Sequence, residues 1–199
     1  MLDTKTGRSF PSSATLRAAL LRYDEVVAAQ GVAKLAELDR WYHRELPQAI
    51  SARPRPHVTL AELVRLAEWK MSRGVWRAPN LVLVRGNDPG VVQEVTAAAL
   101  ALMPHPTKPI ATLAKELKGV GPATASGVVA AARPDVYPFF DELVAEQLPG
   151  FDKVAWTVSY YARYAEALRE RATELGDEWT PASLERALWA HAGGKAGRK

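Results

Sequence analysis

The segment Leu117-Lys118-Gly119-Val120-Gly121-Pro122-Ala123-Thr124-Ala125 has the pattern with the clearest chemical consequence. Two glycines flank one apolar residue between two helical stretches. Gly119 and Gly121 can take left-handed backbone geometry at little cost, so the chain can reverse within a few residues. They also leave backbone amides uncovered. Pro122 has no amide hydrogen and suits the first turn of a helix. The start of that helix presents unpaired N–H groups and a positive dipole end, a ready seat for a phosphate oxygen. Val120 is expected to point inward as an anchor, with Leu117 packed beside it. Gly119, Val120, Gly121, Ala123, Thr124 and Lys118 are therefore candidate contacts to a nucleic-acid backbone, which position a strand without reading its sequence. The same residues also suit a plain turn between two helices.

A second stretch, Glu68-Trp69-Lys70-Met71-Ser72-Arg73-Gly74-Val75-Trp76-Arg77, combines two tryptophans with three cations. Aromatic faces can stack on bases, and cations can meet phosphates. Trp69 and Arg73 share one helix face, and Lys70 is rotated from it. Trp69, Lys70, Arg73 and Trp76 are thus candidate pocket residues. The alternative places the tryptophans in the core and the cations on a solvated rim. Trp41-Tyr42-His43, and Trp156 with Tyr160, Tyr161 and Tyr164, read as helix packing. His43, His57, His105 and His191 lack metal-ligand spacing, so no metal site is expected. The chain has no cysteine, which excludes disulfides, a thiolate nucleophile and cysteine-ligated zinc or iron–sulfur clusters.

The elements that must position these residues are helical throughout. Apolar residues recur at three- and four-residue steps from Thr15 to Gln30, where Gly31 ends the segment. A second helix is expected from about Ala33 to Leu46. Arg53-Pro54-Arg55-Pro56 reads as an extended linker. Thr59-Leu60-Ala61-Glu62 is a capping box opening a helix through about Ser72. Further helices are expected at Asn80–Arg85, Gly90–Met103, Ile110–Leu117 and Ala123–Ala132. After a loop from Arg133 to Phe140, Asp141 caps a helix to about Leu148. A long helix is expected from Asp152 to about Leu175, and a last one from Thr180-Pro181 to about Ala192. Leu81-Val82-Leu83-Val84 is the best strand candidate but has no partner. The expected architecture is all-α, a single domain over residues 1–192 with nine or ten helices and the hairpin at about 109–132. A Gly/Lys/Arg-rich tail, 193–199, is expected to be disordered.

Composition sets broad limits. Of the 199 residues, 48% are apolar, enough for a sizeable core. The net charge of +4 permits a polyanionic partner without requiring one. No apolar run approaches the roughly 20 residues that span a bilayer, and Met1 to Pro11 hold no apolar stretch of signal-peptide length. A cytoplasmic monomer without membrane contact is the expectation, on the nucleoid in a bacterium or in the nucleus of a eukaryote.

The string Leu-x-Gly-Val-Gly-Pro-x-Thr-Ala closely resembles the hairpin of helix-hairpin-helix proteins, with Thr124 and Ala125 matching small residues where the second helix packs on the first. The resemblance extends to the DNA glycosylase superfamily that carries this hairpin (HhH-GPD). There a Gly/Pro-rich loop follows the second helix and ends in the shared catalytic aspartate. Here the loop is Arg133-Pro134-Asp135-Val136-Tyr137-Pro138-Phe139-Phe140, and Asp141 stands 22 positions after Gly119, as in the endonuclease III-like branch. The similarity is good over about Pro109 to Leu148 and loose over Thr59 to Met103.

The resemblance implies a multi-helical DNA glycosylase-like fold, DNA as partner and Asp141 as the catalytic carboxylate. It implies base-excision repair: removal of a damaged or mispaired base. Ala123 holds the position where strand-cutting members carry a lysine, and alanine forms no Schiff base. The implied enzyme is therefore monofunctional. The iron–sulfur cluster of many members is ruled out by composition. A monovalent cation at the hairpin carbonyls is compatible with the resemblance, and no other cofactor is implied. Glu142-Leu143 stands where Thr-His or Val-His is usual, placing a second carboxylate beside the first. A non-catalytic DNA-binding module of the same fold is the alternative, and an all-α interaction protein whose hairpin only turns the chain is a third.

Overall fold

A computed structural model describes residues 9–194 of the chain. Most of the tail expected to be disordered, 195–199, lies outside the described residues, as does most of the N-terminal stretch before Pro11. The described residues are all-α and contain no strand. No helix among them is long and apolar enough to cross a membrane.

In chain order the helices are α1 (Ser13–Leu21), α2 (Tyr23–Ala29), α3 (Leu35–Arg40), a π-helical turn (Trp41–Glu45), α4 (Leu46–Ser51), α5 (Leu60–Arg73) and α6 (Ala78–Arg85). They continue with α7 (Pro89–Ala101), α8 (Lys108–Glu116), α9 (Pro122–Ala132), α10 (Glu142–Ala145), α11 (Val158–Leu175) and α12 (Pro181–His191). Several starts follow from local chemistry. Thr59 accepts from the Glu62 amide while Glu62 reaches back to the Thr59 amide. Asp88 caps α7, and Thr180 caps α12.

Four expected boundaries are corrected. The segment Thr15–Gln30 is two helices, broken at Arg22 just before Tyr23, whose hydroxyl meets Asp39 and Arg73. The segment after Ala33 passes through the π-helical turn before α4. Pro47 explains that turn: its missing N–H and its ring prevent an α-type bond to His43. Asp152 does not start the long helix; Thr157 does, accepting from the Tyr160 amide. The helix capped by Asp141 ends at Ala145 rather than near Leu148. Leu81–Val84 lies within α6.

Helix α9 is the central element. Its sequence PATASGVVAAA is small and apolar on all sides, and Ala123 through Ala131 are buried. A Cβ on Gly127 would stand 3.0 Å from Leu66, so its absence lets α5 approach closely. Helices α4, α5, α7 and α8 pack around α9, while α1, α2, α10 and α11 gather on α12. The two groups share one continuous core.

The glycine turn between α8 and α9 docks on α6. Val120 and Leu117 are buried, as their apolar character predicts. Gly119 has φ +73, and a Cβ there would stand 2.9 Å from the Asn80 carbonyl oxygen and from the amide and Cγ2 of Val84. Asn80 Nδ2 donates to the Gly119 carbonyl at 2.9 Å. Asn87 donates to the Lys118 carbonyl at 2.9 Å and accepts from its amide at 2.9 Å. Gly121 differs from the expectation of two left-handed glycines. It is extended, at φ −93 and ψ −179, because it serves as the N-cap of α9.

The two glycines should therefore respond differently to alanine. Gly119→Ala meets both a left-handed backbone penalty of about 1–2 kcal/mol and overpacking of about 1–3 kcal/mol. Gly121→Ala has open space around the new methyl and should cost about 1 kcal/mol or less. Urea unfolding of the two variants checks this; equal losses would refute it.

Candidate functional site

Asp141 is held from several directions. Its Oδ1 accepts from the Leu143 amide at 2.8 Å and the Val144 amide at 3.4 Å, capping α10. Its Oδ2 lies 3.4 Å from Nε of Arg73. The loop that delivers it is fixed by tyrosines one helical turn apart on α11. Tyr161 donates to the Pro138 carbonyl at 3.1 Å, and Tyr164 to the Phe139 carbonyl at 2.7 Å. The Phe140 amide donates to Ser126 Oγ at 2.8 Å, which ties the loop to α9. Upstream, Tyr137 donates to the His105 carbonyl at 2.9 Å. The tyrosines read as packing residues thus pack and also fix the backbone that presents the carboxylate.

Asp141 opens onto a cleft of about 330 Å³. One wall is the hairpin and the start of α9, from Gly119 and Gly121 to Thr124. No side chain caps that helix start. Opposite are Lys70, Arg73, Val75 and Arg77, at the end of α5 and the loop beyond it. Trp156 and Phe140 supply the aromatic part, with ring centroids 4.9 Å apart. Trp156 is 45% exposed, so one face is open to the cleft. Burial lowers the Lys70 ammonium below the ordinary lysine range, and the neighbouring Arg77 adds to the effect.

The candidates named from sequence separate. Asp141, Gly119, Gly121, Ala123, Thr124, Lys70 and Arg73 line the cleft. Val120 is buried in the core, and the exposed Lys118 is not part of the wall. Trp69 does not line the cleft. It is fully buried, stacks on Tyr42 at 3.6 Å and donates its indole N–H to Asp39 at 2.9 Å. Trp76 is 54% exposed but outside the lining. Trp156 takes the open aromatic position. It precedes the Thr157 cap, outside the helix, so helical spacing gave no sign of its direction. Among the described residues no group of three or more His, Asp or Glu side chains is placed to hold a metal ion.

Arg73 is the residue whose environment sequence spacing could not reveal. Its side chain is 1% exposed. One amino group donates to the Tyr23 hydroxyl at 3.1 Å and the other to Glu185. The guanidinium lies 4.6 Å from the Trp189 ring centre and 5.4 Å from that of Phe139. Burial disfavours its charge, but Glu185, Tyr23, Asp141 and Asp39 together outweigh that effect and raise its pKa. Burial pushes Glu185 up to about 8, against the pull of Arg73.

No family model, no curated protein and no solved structure matches this chain. What the arrangement can do therefore rests on its geometry. A helix start and two cations can seat phosphate oxygens, an aromatic face can stack a base, and a rigid carboxylate can stabilise positive charge or orient a water.

The Glu185 shift has a signed consequence. A carboxyl whose folded pKa lies above its unfolded value favours folding while protonated, and that advantage is lost as pH rises through the folded value. Between about pH 4.5 and 8, Glu185 should make wild-type stability fall as pH rises. Glu185→Gln should lack this component. Chemical denaturation of both proteins across that range measures it, and parallel pH profiles would contradict it.

Proposed function

We propose that this protein is a helix-hairpin-helix DNA glycosylase, hydrolysing the N-glycosidic bond of a damaged or mispaired base without cutting the strand. One observation carries the reading: Asp141 and the uncapped start of α9 line the same cleft. A strand whose phosphate rests on the hairpin amides brings its sugar within the walls that hold the carboxylate. Lys70 and Arg77 add positive charge around that seat, and Trp156 offers a face for a base drawn out of the stack. The cleft lies at the small end of the roughly 300–1,000 Å³ typical of ligand pockets, which suits one nucleotide unit.

The chemistry follows from the carboxylate. As the C1′–N bond lengthens, its electron pair leaves with the base and positive charge grows on the sugar. Asp141 stabilises that charge and accepts a proton from the water that attacks C1′. The departing base takes up a proton from solvent, and Asp141 returns its own to solvent to restore the carboxylate. Ala123 offers no amine at the position where strand-cutting members carry one. Lys70 is the amine that lines this cleft, and on this reading it serves the phosphate, so the strand stays intact until alkali treatment. The carbonyls of Leu117, Lys118 and Gly119 already accept from the Val120 amide, Asn87 and Asn80, so a monovalent cation at the hairpin would have to share these oxygens.

A second reading, DNA binding without base release, is favoured by the Arg73 contact. With one oxygen of Asp141 capping α10 and the other beside a buried guanidinium, part of its negative field is already compensated.

Base release from duplexes carrying uracil, alkylated purines or oxidised guanine separates the two. Asp141→Asn should release base at least about 100-fold more slowly. Asparagine keeps the helix cap but removes one counter-charge of Arg73, so circular dichroism of the variant is recorded beside the assay to separate lost chemistry from lost folding. Full activity in that variant, or no release from any substrate at high protein concentration, eliminates the catalytic reading. Binding should weaken steeply with salt, and Arg77→Ala should reduce the log–log salt slope by about one.

A further inference from the structure

A second pocket, of about 220 Å³, opens on another part of the molecule, between α2, α3, the π-helical turn and α12. Arg40 and Arg44 stand one turn apart on one wall, and Arg186 of α12 also lines it. Arg17, Arg53, Arg65 and Arg85 each pair with a carboxylate. Arg40, Arg44 and Arg186 form no such pair among the described residues. Nε of Arg186 is buried without any hydrogen-bond partner, and its guanidinium lies 5.7 Å from the centre of the Tyr23 ring.

Two carboxylates also line this pocket, and both bear on the sign of its field. Oδ1 of Asp39 accepts from Tyr23 and from Trp69, each at 2.9 Å, and Arg73 lies behind it. Burial raises the Asp39 pKa against the pull of these donors, of Arg73 and of Arg186 in the pocket itself. Asp24 pairs with no cation among the described residues, so three arginines face two carboxylates, and Arg40 and Arg44 carry the positive excess because Arg186 also acts on Asp39. His43 is the remaining polar group, its Nε2 3.3 Å from the Tyr23 hydroxyl and 3.7 Å from Asp39. Burial, together with Arg186 and Arg73, drives His43 well below its ordinary range, so the ring is neutral and adds no charge.

We propose that this pocket binds a phosphate group, as inorganic phosphate or a terminal phosphomonoester, through Arg40, Arg44 and Arg186. Planar guanidinium forks match the oxygens of a tetrahedral anion, and three of them supply more donors than one carboxylate could satisfy. The pocket is too small for a whole nucleotide to be enclosed, so the phosphate is the part recognised. This inference is independent of the activity assigned to the Asp141 cleft.

The imidazole of His43 is a local reporter, and its NMR signals can be assigned with a His43→Gln variant. Titration of the full-length protein with sodium phosphate, at ionic strength held constant with chloride, should shift the His43 resonances saturably. In the Arg40→Ala/Arg44→Ala protein, whose substituted side chains are exposed and whose fold should persist, apparent affinity should fall at least ten-fold. A short oligonucleotide with and without a 5′-phosphate distinguishes the sources. A shift only with the phosphorylated strand assigns the pocket to a nucleic-acid end, and a shift with inorganic phosphate assigns it to the free ion. No saturable His43 shift with either probe overturns the proposal. So does a shift unchanged in the double variant, or one abolished instead by Lys70→Ala in the cleft.

Discussion

A single buried cation organises this molecule. Arg73 ends α5 with its guanidinium enclosed by Tyr23 from α2, Glu185 and Trp189 from α12, Phe139 from the loop and Asp141 at the start of α10. A charge so placed is tolerable only with its counter-charges in position, because removing one leaves the rest unmatched in a medium that screens poorly. The helices that meet at Arg73 come from both halves of the fold. Their relative placement is therefore fixed by electrostatics as well as by apolar packing.

That constraint shapes the cleft. Its floor is rigid, since Asp141 is anchored by two amides and Arg73, and the preceding loop by Tyr161, Tyr164 and Ser126. Its rim is looser in character. Arg77 and Trp156 are exposed, and the Val75-Trp76 loop carries apolar surface into solvent. A fixed acid beneath an adaptable, cationic and aromatic rim suits a ligand whose backbone must be gripped while one unit is positioned deeply. The tyrosine hydroxyls matter as much as the carboxylate here, because they satisfy carbonyls that an irregular loop would otherwise bury unpaired.

Local chemistry was legible in the sequence; distant polar pairing was not. The capping box at Thr59 and the Asp141 cap each act over two or three residues, and both are found. The apolar anchoring of Val120 and Leu117 was equally local. Gly119 and Gly121 looked alike in sequence, yet one is fixed by α6 and the other by its role as a cap, a difference that arises from Asn80 and Asn87 some thirty to forty positions away. Arg73 and Glu185 are 112 positions apart, and no period or spacing links them. Trp69 obeyed its helix face but faced inward, toward Asp39, while Trp156 sat just outside a helix where periodicity carries no information.

The state of Asp141 decides how these parts combine. For the proposed chemistry a carboxylate works best when it is both immobile and free of competing cations, and Arg73 sets these two requirements against each other. Arg73 supplies part of the immobility and also opposes the field. Its own charge, however, is shared with Glu185 and the Tyr23 hydroxyl, and burial favours the protonated form of Glu185. Arg73 divides its donors between Asp141 on the cleft side and Glu185 and Tyr23 behind it. The buried glutamate behind the cleft thus shares one guanidinium with Asp141 in front, without lining the cleft itself.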